Sequence, residues 1–92
     1  MQATADLQII PMGDGVSVRK EIRQIVDLIE RQGFITHRHA SGTNIEGELH
    51  ELLATVEKIH SLLHEQGTIR VLSNIKLETR TDKLPTLAGK VL

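Results

Sequence analysis

Arg31-Gln32-Gly33-Phe34-Ile35 returns later in the chain as Glu65-Gln66-Gly67-Thr68-Ile69. In each copy an apolar stripe at helical spacing runs out at a Gln-Gly pair, and an extended run begins. A glycine just past a helix can take the left-handed conformation that closes its last turn. Each copy therefore reads as helix, stop, strand. Backwards from Gly33, the residues Val18, Ile22, Ile25, Val26 and Ile29 form one stripe. Ser17 is placed to cap that helix, its hydroxyl accepting a first-turn N–H. Backwards from Gly67, a second stripe is made by Leu49, Leu52, Leu53, Val56, Ile59 and Leu63.

The segments between the helices alternate with a period near two, the mark of strands. From Ala3 to Met12, Ala5, Leu7 and Ile9 share one side, while Asp6, Gln8, Ile10 and Met12 share the other. Pro11 cannot donate to a ladder, so the strand is expected to fray or meet an edge there. Gly13-Asp14-Gly15 is a turn. Phe34 to Ala40 predicts a second strand, with His37 and His39 on one face and Thr36 and Arg38 on the other. After the Ser41-Gly42 turn, Thr43 to Glu46 reads as a short third strand or the approach to the second helix. Thr68 to Arg80 predicts a long final strand. Its Ile69, Val71, Ser73, Ile75 and Leu77 face one way; Arg70, Leu72, Asn74, Lys76, Glu78 and Arg80 face the other.

Two strand–helix–strand units in series give βαββαβ, the split-βαβ arrangement. Right-handed crossovers then set both helices on one face of a four-stranded antiparallel sheet. The expected fold is α+β and ferredoxin-like, one domain over residues 1–92, with 83–92 as an extended tail. The other sheet face is left bare by the helices. Leu84, Leu87, Val91 and Leu92 make the tail apolar enough to add to a partner's sheet edge.

The chain has 92 residues, 39% of them hydrophobic, and Phe34 is its only aromatic. A domain of this size buries roughly 60–65% of the surface its unfolded chain exposes. So thin an aliphatic core predicts further burial through a homo-oligomer. A net charge of −1 and a single aromatic exclude a nucleic-acid reader, which needs cations for phosphates and rings for stacking. No cysteine is present, and no apolar run approaches the roughly 20 residues that cross a bilayer. The first residues carry no cationic start to an apolar run. The expectation is a soluble, cytoplasmic protein with no membrane partner.

Chemistry-bearing motifs are few. His60 and His64 share a helix face, but the intervening residues lack the glutamate of a zinc protease motif, and no third ligand follows. No metal site is expected. Nucleophile motifs are absent, which leaves His39 and Glu46 as the one acid–base pair an enzyme reading could use; no catalytic residue is expected. The densest polar block is His39-Ala40-Ser41-Gly42-Thr43-Asn44-Ile45-Glu46-Gly47. Read locally, Thr43-x-x-Glu46 is a capping box and Gly42 a hairpin residue. Read functionally, Ser41, Thr43, Asn44 and Glu46 converge on a ligand near a helix N-terminus.

Together with Ile9-Ile10-Pro11-Met12-Gly13, Ser17, the final-strand run Ile75-Lys76-Leu77-Glu78-Thr79-Arg80 with Asp82-Lys83, and Gly89-Lys90-Val91, this block resembles the small thiamine-binding proteins of bacteria and archaea. The resemblance spans nearly the whole chain, and Gly42-Thr43-x-Ile45-Glu46-Gly47 is its most specific part. It implies a ferredoxin-like fold, homodimers paired through their sheets, and tetramers made from dimers. It implies no cofactor and no enzymatic activity, but a ligand: thiamine or its hydroxymethylpyrimidine moiety. The pocket residues it implies are Ser17, His39, Thr43, Asn44 and Glu46, with Asn74 and Arg80 behind them. Tyr and Trp are absent, so a pyrimidine ring would rest on aliphatic groups, Met12 or Phe34. The alternative is a structural or regulatory subunit that holds a partner protein on its bare sheet face.

Overall fold

Gly33 and Gly67 both take left-handed backbone conformations, with φ of 82° and 99°, and each follows a helix. The structure, a computed structural model, describes residues 1–13 and 19–91. The helices are α1 (Arg19–Arg31) and α2 (Leu49–Glu65), and the strands are β1 (Gln2–Met12), β2 (Ile35–His39), β3 (Gly42–Glu48) and β4 (Arg70–Glu78). Their order along the chain is βαββαβ. The sheet order is β2-β3-β1-β4, with every neighbouring pair antiparallel. The ferredoxin-like α+β architecture follows. Ser17, and with it the expected cap of α1, lies outside the described residues.

The two periodicities meet in one core. Ile25 and Ile29 of α1 and Leu52, Ile59 and Leu63 of α2 pack on Ala5, Leu7 and Ile45 of the sheet. Pro11 stays inside β1, opposite Val71. Pairing of β1 with β3 ends at Leu7↔Thr43, so from there on β1 borders β4 alone. Pro11 thus sits where the strand has become an edge, and its missing N–H leaves no ladder bond unmade.

The third strand is longer than its sequence suggests, and the capping box is not formed. Thr43 and Ile45 are buried at alternate positions, and β3 is paired on both sides, with β1 and with β2. Two ladders outweigh one cap. The helix starts later, at Leu49, and its N-cap is Glu48, whose Oε2 accepts the Glu51 N–H at 2.9 Å.

This cap gives the fold an acid-side dependence. The N–H groups of Glu51 and His50 hold the Glu48 carboxyl below its ordinary range. A carboxyl with a depressed folded value contributes stability above the unfolded value of about 4.3, which is lost as pH falls through the folded one. The Lys90 ammonium lowers Glu78 and the Arg80 guanidinium lowers Asp82 in the same sense. The melting temperature is therefore expected to fall between about pH 6 and pH 3. Glu48→Gln, which keeps an acceptor but does not titrate, should make the fall shallower. An equal fall in both proteins would remove Glu48 from the account.

Candidate functional site

The register lays out the helix-free face of the sheet in rows. Ile35, Glu46, Thr4 and Glu78 form one row; His37, Asn44, Asp6 and Lys76 form the next; His39, Gln8 and Asn74 form a third. Beyond them lie Ile10 opposite Leu72 and Met12 opposite Arg70. Alternation alone brings polar groups from all four strands to the middle of this face.

The tail comes back across the first row. Pro85 and Leu87 are buried, and the Leu87 N–H donates to Glu46 Oε1 at 2.8 Å. Past Leu87 the chain makes one short 3-10 turn, Ala88–Lys90, and the Lys90 ammonium pairs with Glu78. The tail described is thus strapped to its own sheet, fixed by one carboxylate from β3 and one from β4.

Between strap and sheet lies a cleft of about 400 Å³, within the usual range for small-molecule sites. Asp6, His37, Asn44 and Lys76 line it from the sheet, and Leu87, Ala88, Lys90 and Val91 from the tail. The side chains of His37, Asn44 and Lys76 make no hydrogen bond or ion pair among the described residues. Asp6 is held: His39 Nε2–H donates to its Oδ1 at 2.7 Å. The Ser41 N–H donates to His39 Nδ1 at 3.2 Å, so Nδ1 is an acceptor and the ring proton must sit on Nε2. His39 therefore orients Asp6.

The residues singled out from sequence disperse. Asn44 lines the cleft; Glu46 does not, and is engaged by the strap in the neighbouring row. His39 stands one row away, supporting Asp6, and Asn74 beside it donates to Gln8 Oε1 at 3.1 Å. Thr43 points the other way, buried on the helix side of β3, because only every second residue of a strand reaches one face. Arg80 is clamped to Asp82 by two contacts, of 2.6 and 2.5 Å, and does not line the cleft. Ser41, Thr43, Asn44 and Glu46 do not converge on a helix end. Met12 lies at the far end of the face, and Phe34 packs on the core; the apolar wall of the cleft is Leu87, Ala88 and Val91 instead.

Asp6, His37 and Lys76 were not marked as site residues by the sequence. The signal that could have found them is positional: they fall in register with Asn44 once the four strands are paired. His60 and His64 are occupied structurally. His60 Nε2 is hydrogen-bonded to Ser73 Oγ at 2.9 Å, and His64 Nδ1 donates to the Thr68 carbonyl at 2.7 Å. No cluster of three or more metal-ligating side chains occurs among the described residues, and none of their helices is long and apolar enough to cross a membrane.

The sequence pattern of the family described as Thiamine-binding protein matches residues 5–92. The chain belongs to the thiamine-binding protein family. Its relatives include a UPF0045 protein of Synechocystis, 36% identical over 99% of this chain and 75% of the relative. Another, from Methanocaldococcus jannaschii, is 31% identical over 98% of this chain and 89% of the relative. A crystal structure of a Methanocaldococcus jannaschii protein, 31% identical, superposes with a TM-score of 0.88 over 97% of this chain and 91% of that one. A Thermotoga maritima protein, whose suggested role is thiamine biosynthesis or salvage, has the same fold. Its TM-score is 0.86 at 21% identity, over 99% of this chain and 96% of that one.

Proposed function

We propose that the protein is a non-catalytic carrier or sensor of thiamine, or of its hydroxymethylpyrimidine part, and that the strapped cleft is where the ligand sits. Membership of the thiamine-binding family supports the ligand class. The observation that carries the location is the set of unpartnered polar side chains, His37, Asn44 and Lys76, gathered with an oriented Asp6 under an apolar strap. An aminopyrimidine edge offers an amine donor beside a ring-nitrogen acceptor. A side-chain amide matches both at once, as it does on adenine, and Asn44 supplies one. Leu87, Ala88 and Val91 give the ring an apolar cover in place of aromatic stacking.

A catalytic role through His39 and Glu46 is disfavoured by geometry. Both His39 ring nitrogens are engaged. His39 pairs with Gly42 and Ile35 with Glu46, which separates the two groups by four strand positions, about 13 Å. A general base must lie within hydrogen-bond reach of its proton.

The protein is further proposed to work as a homo-oligomer, a dimer through its sheets or a tetramer of such dimers. The strap leaves Leu72 half exposed and Met12 exposed on the helix-free face, and β4 is an edge strand with Ile75 and Leu77 exposed. Calorimetric titration with thiamine and with hydroxymethylpyrimidine is expected to show saturable binding, one ligand per chain. Sedimentation of the same samples should give a dimer or tetramer mass. Folded protein without heat or thermal shift at millimolar ligand would refute the binding role, and a monomer at high concentration would refute the assembly.

A further inference from the structure

Glu78 is the one carboxylate lining the cleft that forms an ion pair with a lysine, and that lysine belongs to the strap: Lys90. Glu46, the other carboxylate holding the strap, receives a backbone N–H and no charge. The two fastenings therefore differ in kind. The Glu46 bond is neutral on the donor side and sits beside buried Leu87, so it anchors. The Glu78 contact is an ion pair with both side chains more than two-fifths exposed, 47% and 42%. Pairs so exposed are weak and exchangeable.

We infer that Glu78 is a cation subsite of the cleft, occupied by Lys90 until a cationic ligand displaces it. The inference rests on the binding role proposed above and adds the discrimination that role lacks. Thiamine carries a permanently charged thiazolium ring; hydroxymethylpyrimidine is neutral. Both can use Asn44, but only the first can replace an ammonium at Glu78. Asp6, the other acid of the cleft, is already engaged by His39. Lys76 lies directly opposite Asp6 in the register, without an ion-pair partner, and opposes a second positive charge at the Asp6 end. A cation entering the cleft is therefore directed to the Glu78 end, beneath Lys90. Displacing Lys90 frees the segment after Leu87 while the anchor at Glu46 holds, so the strap would open from its far end.

The test is the ratio of thiamine affinity to hydroxymethylpyrimidine affinity, measured by calorimetry at low salt. Lys90→Met removes the competitor and should raise that ratio about fivefold, the size an exposed ion pair supports. Lys90→Arg, which keeps the cation, should leave it near the parent value. Glu78→Gln should lower the ratio by a similar factor, and adding Lys90→Met to Glu78→Gln should change it no further. A ratio unmoved by Lys90→Met, or moved equally with and without Glu78, overturns the subsite. In that event hydroxymethylpyrimidine binding by the parent protein still upholds the cleft. If neither compound binds any of these proteins, the subsite and the binding role fall together.

Discussion

Gly42→Ala is expected to destabilise the protein by about 1–3 kcal/mol, the size of an overpacking penalty in a close contact. A Cβ at this position would lie 2.5 Å from the Leu7 carbonyl oxygen and 3.3 Å from its carbon. Those atoms are backbone, in the central strand β1, and cannot rotate away as a side chain could. The strands must part instead, at the place where β1 and β3 end their pairing. In a domain of this length the melting temperature should fall by about 5–20 °C. The urea midpoint should fall with an unchanged slope. The substitution also reaches the site, because the added Cβ would stand 3.4 Å from His39 Cε1, on the ring that orients Asp6. A melting temperature within about 2 °C of the parent protein would mean that the strands have room to part.

Gly42 also marks the limit of sequence reading. Its block is framed by two glycines, and each is needed for a long-range reason. Gly42 lets β1 pass close by, and Gly47 leaves room for the Phe34 ring, whose Cδ1 would lie 2.3 Å from a Cβ there. Neither neighbour is near in sequence on the helical or turn spacings that motifs record. The local pattern Thr43-x-x-Glu46 suggested a cap, whereas the period-two burial of Thr43 and Ile45 made a strand. Both signals were in the sequence; the ladders on either side decided between them. By contrast, the two Gln-Gly stops were legible because a helix end is local chemistry, and the faces of β1, β2 and β4 were legible because alternation is. The βαββαβ order followed from these.

The site was harder, since it is assembled by register. Asp6, His37, Asn44 and Lys76 come from four strands, and one residue of slip in any pairing would send that strand's contribution to the opposite face. Nothing near Lys76 in sequence announces Asp6. The strap was equally hidden: an apolar tail reads the same whether it covers a partner's sheet or its own. Only the pairing of Leu87 with Glu46 and of Lys90 with Glu78 shows which sheet it lies on here.

Asn44→Leu is the substitution expected to cost binding most. If the Asn44 amide reads the aminopyrimidine edge, leucine leaves an amine and a ring nitrogen buried without partners. Unmade bonds to buried polar groups cost about 1–3 kcal/mol, which corresponds to roughly five- to 150-fold in affinity. The loss should be shared by thiamine and hydroxymethylpyrimidine, because both carry that edge. This separates Asn44 from Glu78, whose effect depends on ligand charge. Stability should change little, since the amide makes no hydrogen bond in the unliganded protein and projects from the helix-free face. Asn74→Leu is the matched comparison. It makes the same chemical change on the same face, but Asn74 bonds Gln8 and does not line the cleft, so affinity should stay within about twofold. Equal losses at Asn44 and Asn74 would move the ligand to the adjoining hollow, which His39, Ser41 and Asn74 line. A loss at Asn74 alone would remove the strap from the binding mechanism, because neither Leu87 nor Lys90 borders that hollow.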